Sequence, residues 1–256
     1  MRLYSYLKNN ANLTKSELML LKNENKILVN GKITDLLYEV EPNDLVTIDG
    51  TVITEVRKVY YLYNKPIGIE CTNSSNKTNT LKSLDIKERI FSLGRLDKDS
   101  HGLLILTNDG KLSNQLMNAS SHVEKEYIVK VEKPITLEFL DKMANGVVID
   151  NKITRKAQIS KIDDYTFDII INEGRNRQIR KMTKACLNKV IDLERIRIGK
   201  VLLGDLEVGQ IKEVDFSDLI DWFSQSFFIL FLLICHINKY YLKISTKHLT
   251  VLKTGV

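Results

Sequence analysis

Three cysteines occur in the 256 residues, at 71, 186 and 235, and no two of them make a CxxC pair. An odd number at wide spacing argues against a disulfide framework and for a reducing compartment. Histidine is almost as scarce. The four histidines, at 101, 122, 236 and 248, stand at no ligand spacing, so no metal site is expected. The N-terminus, MRLYSYLKNNANLTKSE, lacks the apolar core of a secretory signal, and a cytoplasmic location is expected. No internal repeat is visible. The most apolar stretch, WFSQSFFILFLLICHI at 222–237, falls short of the uninterrupted length a bilayer span needs. Residues 221–256 therefore read as an atypical apolar extension, and no membrane partner is expected.

The rest is ordinary soluble composition: 43% hydrophobic and 27% charged, enough for one sizeable core or a small domain beside a larger one. The net charge of +6 is unevenly spread. Residues 1–58 carry 8 basic and 8 acidic side chains, whereas 175–200 carry 9 basic side chains against Asp192 and Glu194. Such a concentration fits a phosphate-tracking surface or a solvated helix face.

Patterning divides the chain near residue 58. Two short helices are predicted at 2–9 and 14–22. Thr14 and Glu17 are spaced as a capping box, and Leu13 and Leu18 as a hydrophobic staple. ILVNGK then predicts a strand entering an Asn30-Gly31 hairpin, and LVTIDG at 45–50 a second strand. From Val59 the pattern is mostly strands, near 59–64, 103–107, 125–131, 147–149, 153–161, 165–171 and 189–198. Helices are predicted at 110–118, 136–144 and 176–187. This is α+β, with largely antiparallel pairing and no regular βαβ alternation. In helix 176–187, which Asn176 can cap, Ile179, Met182, Thr183 and Cys186 form a core stripe. Arg177, Arg180, Lys181 and Lys184 form a cationic stripe on another face. Arg195 and Arg197 share one face of the last strand.

One carboxylate draws notice. In GRLDKDSHGLLILTNDG (94–110), Asp97 follows Arg95 and Leu96 and sits just ahead of the apolar run Leu103–Leu106. A carboxylate at the rim of a core, braced by a guanidinium, can act as nucleophile or base. A turn or capping aspartate is the commoner reading of such a residue.

That segment closely resembles the GRLD motif of pseudouridine synthases of the RsuA/RluB/RluF type. YNKPIG (63–68) is similar to the family's lysine–proline motif and EKEYIVKV (124–131) to its tyrosine-bearing strand. EGRNRQIRKM (173–182) and LERIRIG (193–199) resemble its later motifs, in the same order. RLYSYL, TKSE and ILVNGK resemble the S4 RNA-binding domain that this family carries.

The resemblance implies an S4-like module at 1–58, a pseudouridine synthase domain with a mixed, largely antiparallel sheet at 59–220, and the extension at 221–256. It implies isomerisation of a uridine to pseudouridine, without a cofactor, in a ribosomal RNA stem-loop from which the base is flipped out. GRLDKDS and HVEKEYIV look closest to the 23S branch. A 16S enzyme and a non-catalytic RNA-binding or assembly protein are the alternatives. Asp97 matches the catalytic aspartate, Tyr127 the motif tyrosine that can stack on the base, and Arg180 the arginine that pairs with the aspartate, with Arg177 second for that role. Lys65 and Pro66 fit loop-shaping positions. Arg2, Lys15, Lys26 and Lys32 are the phosphate contacts expected on the N-terminal module. Arg95, Arg175, Arg177, Lys181 and Lys184 are those expected on the larger domain. The protein is expected to act as a monomer.

Overall fold

The computed structural model describes residues 1–11, 13–72, 78–110, 112–113 and 122–223. Helices α1 (Leu3–Asn10) and α2 (Lys15–Asn23) open the chain. The backbone N–H of Glu17 donates to Thr14 Oγ1, and that of Thr14 donates to Glu17 Oε2 at 2.6 Å, closing the capping box. Strand β1 (Ile27–Val29) passes through Asn30 and Gly31, both at positive φ, into β2 (Lys32–Ile33). Asp49 and Gly50 make the same kind of turn between β3 (Val46–Ile48) and β4 (Thr51–Val52). The sequence pattern misses β4, because two exposed residues carry no alternation. These strands pair in the order β2-β1-β3-β4 and share a core with the two helices, built from Leu3, Leu7, Leu18, Ile27, Val29 and Val46.

A nine-stranded sheet forms the rest. Its path runs β11 (Gln158–Lys161), β12 (Thr166–Ile171), β8 (Lys125–Val131), β13 (Val190–Ile198), β7 (His101–Thr107), β5 (Tyr60–Lys65) and β15 (Ile211–Glu213). Strand β6 (Phe91–Leu93) pairs with β7, and β14 (Val201–Leu202) with β13. Pairing among the described strands is antiparallel except for β13 beside β7. The α+β expectation holds.

Strand β7 explains its own sequence. Leu103 and Ile105 enter one hydrophobic cluster and Leu104 and Leu106 another, on opposite faces of the strand. All four are fully buried. A strand covered on both sides reads as a continuous apolar run. Each such side chain contributes roughly 1.5–3 kcal/mol of burial.

Helix α3 (Leu137–Asn145) is capped by Thr136 and packs Phe139 edge-on against Phe167, ring centres 5.5 Å apart. Helix α4 (Gln178–Ala185) buries Ile179, Met182 and Thr183 of the expected core stripe, while its fourth member, Cys186, is half-buried at the helix C-cap. Helix α5 (Phe216–Phe223) seats Leu219 in the β5–β7 cluster and stacks Phe216 on Tyr60.

Several boundaries differ from expectation. The strand expected at 153–161 is two elements. The hairpin of β9 (Val148–Ile149) and β10 (Lys152–Ile153) turns at Asp150-Asn151 and ends before β11. Between β10 and β11, Arg155 N–H donates to Glu173 Oε1 and Ala157 N–H to Ala144 O, so the chain leaves the ladder there. Asn176 does not cap α4. Arg177 is the capping residue, in the left-handed region at φ 50°, with no side-chain cap bond. The helix expected at 110–118 falls mostly outside the described residues, as does the extension beyond Phe223. Among the described residues, no helix is long and apolar enough to cross a membrane.

Candidate active site

Asp97 sits on the loop joining β6 to β7, and that loop is fastened from three sides. Gly68 N–H donates to Lys98 O at 2.7 Å. Buried Lys65 donates from Nζ to Pro66 O and Ile69 O, shaping the segment that makes this contact. From α4, Arg180 donates to Asp99 O at 2.6 Å and Ser100 Oγ at 3.1 Å. From β13, buried Arg195 donates through Nε to Leu103 O at 2.8 Å and through Nη1 to Arg95 O at 3.4 Å, tying both ends of the loop. Gly102, at φ +100°, lets β13 approach: a Cβ there would lie 2.7 Å from Arg195 N and closer still to its carbonyl oxygen.

A pocket of about 400 Å³ opens beside the loop. Asp97 lines it with Tyr127, which is 8% exposed and lies directly opposite Arg195 across the β8–β13 ladder. Leu96, Ile171, Ile179 and Leu193 give it apolar walls. Its lining includes the cations Arg95, Lys125, Arg175, Arg177 and Arg195, and Asp97 is its one carboxylate among the described residues. A carboxylate 28% exposed, an aromatic ring and apolar walls in one cavity can hold a flat polar heterocycle with a reacting group at its edge. A larger cleft of about 730 Å³ lies away from Asp97, between α1 and residues 89–91, 108–110 and Ser113.

The arginine pairing is not the expected one. Arg177 Nη1 approaches Asp97 Oδ2 at 3.7 Å, while its main partner is Asp99, held by two bonds at 2.8 and 2.7 Å. Arg180 faces Asp99, with Nε 3.4 Å from Oδ2, and is absent from the pocket lining. The left-handed backbone at Arg177 accounts for this, since it swings that side chain off the helical stripe and over the loop. Hydrogen bonds from Arg177 hold the Asp99 carboxyl below the usual carboxylate range, and Asp99 in turn raises the Arg177 guanidinium. Burial pushes Arg180 down.

The basic stretch 175–200 is also more committed than its composition suggests. Arg175 bonds Glu173, Lys152 O and Ile153 O, and Lys181 bonds Asp150 at 2.6 Å. Arg197 bonds Glu124 and Glu126, and Arg195 is buried. Lys184 remains exposed. On the N-terminal module Arg2, Lys15 and Lys32 are exposed, whereas Lys26 is drawn to Glu24 at 2.9 Å and Asp49 at 3.8 Å. Paired in this way, Lys26 is a poor phosphate contact.

Three residues of this region escape a motif-based reading. Asp99, two positions past Asp97, is the acceptor for both α4 arginines. Lys125 is two positions before Tyr127, which on a strand places both side chains on one face. Its Nζ donates to Val123 O at 2.8 Å, and burial, then Arg195 nearby, pushes its ammonium down to about 8. Arg195 is the third, and it lines the pocket with Lys125 and Tyr127.

The family model described as RNA pseudouridylate synthase matches residues 59–185. The chain is 36% identical over 228 residues to the dual-specificity RNA pseudouridine synthase RluF of Escherichia coli (strain K12), covering 87% of this chain and 78% of that one. It is 33% identical over 201 residues to the ribosomal large subunit pseudouridine synthase B of Bacillus subtilis (strain 168), covering 75% of this chain and 82% of the relative. A solved structure described as a pseudouridylate synthase superposes with a TM-score of 0.64 at 28% identity, covering 88% of this chain and all of the other.

Proposed function

The chain belongs to the RNA pseudouridylate synthase family and is an isomerase of that kind, and from that premise we propose that it converts a uridine of ribosomal RNA, in a 23S stem-loop, to pseudouridine with Asp97 as the reacting carboxylate. The observation that carries this reading is the pocket itself. Asp97, on a loop fastened by Arg180 and Arg195, shares one cavity with apolar walls with Tyr127 and Arg177.

A base inside a stem cannot reach a carboxylate at the edge of a sheet, so the uridine turns out of its stack into the cavity. Tyr127 offers its ring as a stacking surface. Asp97 acts at the sugar, as nucleophile at the anomeric carbon or as acceptor of a sugar proton. The C1′–N1 bond breaks and its electron pair departs with the base. The base turns within the walls, C5 bonds to C1′, C5 gives up its proton and N1 takes one up, which leaves an isomer of the starting nucleotide. Arg177, 3.7 Å from Asp97, orients its carboxylate. The fastened loop supplies the geometric precision that a reacting group needs.

Residues 1–58 serve as the S4-like RNA-binding module, through exposed Arg2, Lys15 and Lys32. The large-subunit assignment is supported by the resemblance of GRLDKDS and HVEKEYIV to that branch and by the Bacillus subtilis relative. Incubating the purified protein with unmodified 23S and 16S RNA, followed by pseudouridine mapping, tests it. A new pseudouridine in a 23S stem-loop is expected. Modification confined to 16S RNA would overturn the subunit assignment, and none in either RNA would overturn the substrate class.

A further inference from the structure

Two cations set into the pocket wall, Lys125 and Arg195, have no carboxylate partner among the described residues. Lys125 has no carboxylate partner among the described residues, and its hydrogen bond goes to a neutral carbonyl, Val123 O. Arg195 is 1% exposed and bonded to two neutral carbonyls, and its Nη2 is buried without a hydrogen-bond partner among the described residues. Arg175 and Arg177 differ, having Glu173 and Asp99 with Asp97, respectively, as acidic partners, and Arg95 is solvent-exposed. Buried charge costs several kcal/mol per ion unless something offsets it. A pocket that keeps two uncompensated cations beside its aromatic wall is built for negative charge that arrives with the substrate.

We propose that Lys125, backed by Arg195, stabilises the negative charge that the detached uracil carries between cleavage of the C1′–N1 bond and formation of the C5–C1′ bond. The proposal rests on the reading of Asp97 given above. When C1′–N1 breaks, its electron pair leaves on the ring and spreads over N1 and the two carbonyl oxygens. Lys125 contacts that ring, and Arg195 adds its field from behind. When C5 attacks C1′ the ring returns the pair; C5 then gives up its proton, to solvent or to Asp97, and N1 takes one up from solvent, which completes the isomer. Lys125 keeps its own proton throughout. A backbone phosphate is the other anion such cations can take. The flipped nucleotide's phosphates stay with the strand at the rim, however, where exposed Arg95 stands. Lys125 lies beside Tyr127 and Ile171 on the pocket wall, and Arg195 is deeper still.

Single-turnover kinetics on an rRNA fragment that the wild-type protein modifies, with Lys125→Met, Lys125→Arg and Asp97→Asn in parallel, tests this. Lys125→Met should lower the saturating rate about 100-fold, as loss of one preorganised electrostatic partner does, with RNA affinity and its salt slope unchanged. Lys125→Arg should recover most of that loss. Because Lys125 is neutralised as pH rises through about 8, wild-type kcat/KM should fall across that range and the Lys125→Arg profile should not. Melting temperatures check that each variant folds, and replacing a half-buried ammonium that has no carboxylate partner with an apolar chain of similar size should not lower stability. A Lys125→Met rate within about threefold of wild type overturns the proposal. So does a loss confined to affinity with a shallower salt slope, which would assign Lys125 to a phosphate. Undiminished Asp97→Asn activity would instead remove the Asp97 reading, and the lysine result would still stand on its own measurements.

Discussion

Replacing Gly102 by alanine adds one methyl group and should disturb both the fold and the site. The backbone there holds φ +100°, a conformation that costs a non-glycine residue about 1–3 kcal/mol. The new Cβ would sit 2.7 Å from Arg195 N, against backbone that cannot rotate away. Opening the β7–β13 contact to admit it costs about 1–3 kcal/mol more, as overpacking usually does. The expected loss is therefore about 4 kcal/mol, which lowers the melting temperature by about 10 °C in a chain of this size. Chemical denaturation, followed by circular dichroism, measures it. Gly174→Ala is the control: its added Cβ meets nothing within 4 Å and its φ is not in the left-handed region, so its effect should stay within about 0.5 kcal/mol. Activity should fall with Gly102→Ala, because the Arg195 side chain that ties Arg95 O and Leu103 O is carried on the displaced strand. A loss below about 1 kcal/mol would refute the close-approach argument.

Two further outcomes follow from the ion pairs. Asp99→Asn should cost about 1 kcal/mol at neutral pH, discounted for the half-exposed carboxyl. Its carboxyl titrates below the ordinary range, so the stabilisation is present above the ordinary carboxylate pKa and lost as pH falls through the depressed one. The wild-type and variant urea midpoints should accordingly converge in acid, and a gap that persists there would contradict the pairing. Lys184→Ala should weaken RNA binding at all sequences and reduce the salt slope by about 1, while Lys26→Ala, already paired to Glu24 and Asp49, should leave both unchanged, as filter binding across a salt series would reveal.

What the sequence discloses here is local. Thr14 and Glu17 satisfy each other within one helical turn, and Asn30-Gly31 sets its hairpin from two residues, so both are readable in place. Leu103–Leu106 announces a strand buried on both faces for the same reason. The site is less legible because its partners come from far along the chain. Counting charges in 175–200 cannot see Asp99, Asp150 or Glu126, which neutralise Arg177, Lys181 and Arg197 from other elements. Assigning the brace to Arg180 assumes regular helix geometry through residue 177, where the backbone is left-handed. Lys125 could be placed on the Tyr127 face by strand period, but its burial and lack of a counter-ion emerge only once β12 and β13 flank it.

In the proposed reaction the Asp97 carboxylate performs the chemistry in the pocket it shares with Tyr127. Asp97→Asn keeps the shape and removes the negative charge. Pseudouridine formation in rRNA is to be measured for this variant beside its RNA affinity. No detectable pseudouridine is expected from a protein that still binds RNA as tightly as wild type. Pseudouridine appearing at the wild-type rate would contradict the proposed reaction.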